Sequence, residues 1–122
     1  MKNYKDLKRF AEFFGFVVTS TTGGKHNRAS KHALGLAIDV RTRDKENEQI
    51  RAFIEKARAI GVRVIDERKR PIGQAVWSGA HLHLDIGANT LESLREFQTR
   101  NNLVAHGIVG AETLHALELQ FS

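Results

Sequence analysis

The 122-residue sequence has no cysteine, one proline, one tryptophan and one tyrosine. Without cysteine there is neither a disulfide nor a thiolate cage. Any metal site must then be assembled from histidine and carboxylate, and cysteine usage says nothing about redox compartment. No apolar stretch is long enough to span a bilayer, so membrane insertion is not expected. The N-terminal stretch MKNYKDLKRFAEFFGF is charged and amphipathic, and it lacks the apolar run and small-residue cleavage site of a secretory signal. The expectation is a product made in the cytoplasm that reaches any outside target through a partner that permeabilises the membrane. Aromatic residues are not interleaved with the Lys/Arg runs as a single-strand binder requires. Helix-turn-helix and zinc-finger spacings are missing too, so no nucleic-acid partner is expected.

What remains is the composition of one small globular domain with a modest core, expected to be a monomer. The formal charge of +5 is uneven: residues 1–87 hold 17 Lys and Arg against 10 Asp and Glu, whereas residues 88–122 hold 2 against 4. Such a field suits an anionic partner such as an acidic cell-wall polymer, although a solvated basic surface explains it equally well.

Periodicity divides the chain. Leu7, Phe10, Ala11 and Phe14 lie on one helical stripe that ends before Gly15, and FVVTS at 16–20 reads as a short strand. A polar loop, TTGGKHNRASKH, follows. In LGLAIDVRT, Leu36, Ile38 and Val40 fall on one strand face while Ala37, Asp39 and Arg41 fall on the other. Ile50, Phe53, Ile54, Ala57 and Ile60 mark a second helix closed by Gly61. VRVID is another strand, and ERKRPIGQ is a charged turn. AHLHLDI alternates strictly, with Leu82, Leu84 and Ile86 on one face and His81, His83 and Asp85 on the other. Beyond Gly87, Asn89 and Glu92 form a candidate capping pair for a helix carrying Leu91, Leu94 and Phe97. A last helix carries Leu114 and Leu117.

Asp39 and His83 both point away from the apolar faces of their strands. If the strands are neighbours, the two side chains converge, and His32 enters from the loop before the first. Two histidines and one carboxylate are the ligand set of a catalytic zinc with a fourth position left for water, not of a closed structural zinc. Alone, an H-x-H pair is weak, because strand alternation produces it by chance. The conjunction carries the signal.

That conjunction is S-x-H-x-x-G-x-A-x-D, met by Ser30, His32, Gly35, Ala37 and Asp39, followed by H-x-H at His81 and His83. Over roughly residues 16–87 the sequence resembles the zinc D-alanyl-D-alanine carboxypeptidases and L-alanyl-D-glutamate endopeptidases of bacteria and their phages, whose fold the hedgehog signalling domain shares. The resemblance implies an α+β fold with a small central antiparallel sheet, flanking helices and a short helical C-terminal tail. It implies one Zn2+ held by His32, Asp39 and His83. It also implies a peptidoglycan peptide substrate containing D-amino acids, cut by a carboxypeptidase or an endolysin-like endopeptidase in a phage or prophage context. Many such proteins place an acidic base three residues before the last zinc histidine, where this chain has Ala80. His81 is then the candidate acid/base, or alternatively a hydrogen bonder behind the metal ligands, with Asp66 or Glu67 as substitutes. Relatives also carry an arginine in S-G-Y-R-S, absent here. Lys25, His26 or Arg28 could supply that charge beside Ser30, and Trp77 could wall the substrate or pack in the core.

Residues 91–117 resemble the second half of the peptidoglycan-binding helical module, A-F-Q-x-x-N-G-L-x-x-D-G-x-x-G-x-x-T. The matches are Phe97, Gln98, Asn101, Leu103, Gly107, Gly110 and Thr113, with His106 in the place of the Asp. The expected division is a zinc peptidase domain at 1–87 and a helical tail at 88–122, too short to bury its stripe alone and therefore packed on the first. The alternative function is a catalytically silent, zinc-containing cell-wall-binding module, favoured by Ala80.

Overall fold

The computed structural model describes residues 1–21, 31–32, 34–69, 72–73 and 79–121. Its elements run α1 (Tyr4–Phe13), β1 (Val18–Ser20), β2 (Ala37–Arg41), α2 (Asn47–Ala59), β3 (Val62–Glu67), β4 (His81–Ile86), α3 (Thr90–Arg100) and α4 (Ala111–Gln120). The architecture is α+β, with four helices and one four-stranded sheet in the order β1-β2-β4-β3, every pairing antiparallel.

Local chemistry sets the helix ends. Asn3 Oδ1 accepts from the Lys5 amide at 2.9 Å while Asp6 accepts from the Asn3 amide at 3.2 Å, a reciprocal cap on α1. The chain leaves α1 through Gly15 at φ 82°, a conformation glycine adopts without steric cost. The FVVTS strand is shorter than its sequence suggests. Phe16 turns into the core and stacks on Phe53 at 4.0 Å, so pairing begins at Val18, with an irregularity in the register before Ser20.

Strand alternation then gives the sheet two chemically distinct faces. Ile38, Val40, Val62, Val64, Leu82 and Leu84 are buried and belong to one core cluster with Leu7 and Phe10 of α1 and Ile50 and Phe53 of α2. The opposite face carries three cross-strand rows: Ala37–Asp85–Arg63, Asp39–His83–Ile65 and Arg41–His81–Glu67. The helices cover the apolar face and leave the polar face for chemistry.

The tail adds to the same core: Leu94, Phe97, Val109, Leu114 and Leu117 join the cluster beneath the sheet. The Asn89–Glu92 capping pair is not made. Asn89 sits at φ −99°, ψ 2° rather than in extended backbone, and makes no side-chain cap. Thr90 does the work instead, its hydroxyl accepting from the Gly87 amide and donating to the Gly61 carbonyl, both at 2.8 Å. That bond ties α3 to the turn between α2 and β3, where a Cβ on Gly61 would lie 2.5 Å from the Ser93 Cβ. The loop before α4 is organised by the fully buried Gln98. Its Nε2 donates to the Ile108 carbonyl (3.0 Å) and to Thr113 Oγ1 (3.1 Å), and its Oε1 accepts from the Gly107 amide (3.0 Å). The N-terminal ammonium donates to the Gly107 carbonyl, and Arg9 reaches the Val109 carbonyl at 3.2 Å, closing the loop onto α1.

Replacing Gln98 with leucine keeps the bulk and strands three polar partners, two of them in buried bonds. The expected cost is about 2–4 kcal/mol in chemical denaturation. A loss below about 0.5 kcal/mol would show that the amide does not organise this loop.

Candidate metal centre

β2 and β4 are adjacent, and their register sets Asp39 directly opposite His83. His32 is delivered by a tight turn in which the Gly35 amide donates to the His32 carbonyl (3.0 Å) and the Leu36 amide to the Lys31 carbonyl (2.8 Å). Gly35, at φ 71°, permits that turn. The result is a near-equilateral triangle. His32 Nε2 lies 3.1 Å from Asp39 Oδ1 and 3.2 Å from His83 Nδ1, and His83 Nδ1 lies 3.2 Å from Asp39 Oδ1. Four ligands at the zinc–nitrogen distance of about 2.0–2.1 Å in a tetrahedron stand about 3.3 Å apart. The edges of the triangle agree with that spacing.

The partners behind the two rings decide what faces inward. His32 Nδ1 lies 2.8 Å from the Thr21 carbonyl oxygen, and His83 Nε2 lies 2.9 Å from Asp85 Oδ2. A carbonyl and an ionised carboxylate only accept, so each of those nitrogens carries the hydrogen. In the neutral imidazoles, His32 Nε2 and His83 Nδ1 therefore carry no hydrogen and present their lone pairs to each other and to a carboxylate oxygen. That arrangement requires a cation, or an extra proton, in its middle. Carbonyl- and carboxylate-backed histidines are also the usual support of bound metal. Among the described residues, His32, Asp39 and His83 are the group whose ligand atoms converge in this way.

Charges around the triangle fit this description. Burial works against the Asp39 carboxylate, yet its hydrogen bond to His83 and the fields of His32, His81 and His83 hold it below the usual carboxylate range. Burial likewise disfavours a charged His83, but the hydrogen bonds to Asp39 and Asp85 and their charges prevail and raise its pKa. Asp85 is fully buried. Burial opposes its ionisation, and the Arg63 and His83 hydrogen bonds more than compensate, keeping it an anion.

His81 stands one row away on the same face. Its Nδ1 lies 2.7 Å from the Gly79 carbonyl, and its Nε2 lies 4.0 Å from Asp39 Oδ1 and 3.7 Å from Glu67 Oε2. Of the two acidic substitutes, only Glu67 comes to this face. Asp66 does not: in register with Leu82, it belongs to the other side of the strand, and Arg68 engages its carboxylate through contacts of 2.6–3.0 Å. The candidates Ser30, Arg28, His26 and Trp77, with Lys25, lie outside the described residues. Sequence reasoning placed Asp85 on the correct face but gave it no part, and it missed Arg63 altogether. The signal was available in the alternation of VRVIDE, which puts Arg63, Ile65 and Glu67 on the face of His81 and His83.

Comparison with known families finds a match over residues 84–117 to the family described as "Putative peptidoglycan binding domain". It begins within β4 and extends through α3 into α4, bearing out the resemblance of the tail. The module pattern acquires a physical basis here. Phe97 is core, Gln98, Gly107 and Thr113 form the buried amide network, and Asn101 Nδ2 donates to the Phe97 carbonyl at 2.8 Å. Asn102, where the pattern has glycine, holds φ 59°, a conformation asparagine tolerates better than most residues. No curated protein and no solved structure matches the chain. No helix among the described residues is long and apolar enough to cross a membrane.

Proposed function

We propose that this chain is a zinc-dependent peptidase that hydrolyses amide bonds in peptidoglycan peptides containing D-amino acids. On this reading its sheet and helices form a D-alanyl-D-alanine-peptidase-like, hedgehog-like fold, and it acts on the wall as an endolysin-like carboxypeptidase or endopeptidase released from the cytoplasm where it is made. The observation that supports it most is the triangle of lone pairs from His32 Nε2, Asp39 Oδ1 and His83 Nδ1, at the spacing of tetrahedral zinc ligands. The peptidoglycan-binding match at 84–117 supports the wall as the place of action.

Zinc held by His32, Asp39 and His83 would supply Lewis acidity and would lower the pKa of water towards about 7. The chain supplies the proton handling. With Nδ1–H committed to the Gly79 carbonyl, His81 presents Nε2 as a base on the same face as the ligands. There it takes the proton of the attacking water and returns it to the leaving amine. Glu67 Oε2 lies 3.7 Å from the same nitrogen. His81 thus takes over the work of the acid that Ala80 lacks.

Purified protein loaded with one equivalent of zinc should release new amino groups from purified peptidoglycan, and a chelator should stop the release. Zinc-loaded protein that sediments with the wall but releases nothing from any wall preparation would instead identify a silent binding module. His81→Ala should lower turnover by roughly 10²–10⁴-fold with zinc content unchanged. Unaltered turnover in that variant would remove His81 from the mechanism.

A further inference from the structure

Behind the triangle lies a charged chain that the proton transfers proposed above do not use. Asp85 is 0% exposed, yet it carries a full charge in the interior of the polar face. Arg63, whose side chain is 60% exposed, grips it in a bidentate fork: Nε lies 3.0 Å from both carboxylate oxygens, and Nη2 lies 2.7 Å from Oδ2. The same Oδ2 accepts from His83 Nε2 at 2.9 Å. The sheet register explains the alignment, since Ala37, Asp85 and Arg63 form one cross-strand row. The fully buried Ala37 carries only a methyl group beside Asp85 and leaves the carboxylate room to lie across β4 towards β3.

We propose that Arg63 is a positioning residue for the metal centre. By locking both oxygens of Asp85 as acceptors, it fixes His83 as the Nε2–H tautomer, so that His83 binds the cation through Nδ1. This inference rests on the zinc reading above. Imidazole binds metal through either nitrogen, and the nitrogen used follows from the hydrogen bond made by the other. Here the choice traces back to a surface arginine two strands from Asp39. The fork geometry matters because a guanidinium occupies both carboxylate oxygens at once, whereas an ammonium is a point charge that leaves the carboxylate free to rotate.

Two variants separate this positioning role from simple stability. In Asp85→Asn, Arg63 donates to the amide oxygen, so the amide NH2 faces His83 and Nε2 becomes the acceptor. The ring then carries its hydrogen on Nδ1, where the cation belongs. The expected result is zinc affinity lowered on the order of 10–100-fold by chelator competition. In the metal-free protein, the ring-nitrogen NMR shifts of His83 should move from the Nε2–H to the Nδ1–H pattern. Should Asp85→Asn fail to fold, the exposed position supplies Arg63→Gln. That variant should retain the wild-type circular dichroism spectrum, bind zinc roughly tenfold more weakly and show mixed His83 tautomers. Arg63→Lys should recover only part of the affinity. Wild-type zinc affinity and an unmixed Nε2–H signal in Arg63→Gln would overturn the positioning role. Failure of the wild-type protein to bind zinc would overturn the zinc reading itself.

Discussion

Two imidazole nitrogens and a carboxylate oxygen, each showing a lone pair to the other two across 3.1–3.2 Å, repel unless something positive sits between them. The architecture of the polar face follows from holding that unfavourable arrangement in place. The Thr21 carbonyl turns one ring and Asp85 turns the other, and register on adjacent antiparallel strands fixes the carboxylate opposite His83. A rigid sheet backed by a packed core is a suitable frame, because ligand atoms placed by strand pairing move less than atoms placed by loops.

The remaining structure serves that frame from the other side. α1 and α2 bury the apolar face of the sheet, and the tail extends the same core, so the peptidoglycan-binding match falls on a segment integrated with the strand bearing His83. The Thr90–Gly61 bond and the Gln98 network are what integrate it. The matched segment and the candidate metal centre are thereby built on one packed core.

Much of this was legible in the sequence, for physical reasons that can be named. Period-two alternation in LGLAIDVRT and AHLHLDI assigned Asp39 and His83 to the polar face, and the motif spacing added His32 from the loop. Helix periodicity located the buried stripes of α1 and α2, and Gly15 and Gly61 placed their C-terminal ends to within two residues. Asp66 went astray because a turn can bring either of two adjacent acids towards a site, while a continuing strand admits only one of them. Asp85 was visible but mute, since a carboxylate on an outward face is ordinarily solvated. The face of Arg63 was readable from the alternation of VRVIDE, but its partner was not: that depends on the β3–β4 register, and the long connection between those strands, unlike a two-residue hairpin, does not fix a register. The Asn89 cap failed for a related reason, because Thr90 found a tertiary partner in Gly61 that no local pattern announces.

The most direct measurement is anomalous diffraction from crystals of the protein grown with one equivalent of zinc, recorded on either side of the zinc absorption edge. The account predicts a single strong peak within bonding distance of His32 Nε2, Asp39 Oδ1 and His83 Nδ1. A peak elsewhere with those three atoms unligated, or no peak in zinc-saturated crystals, would contradict it.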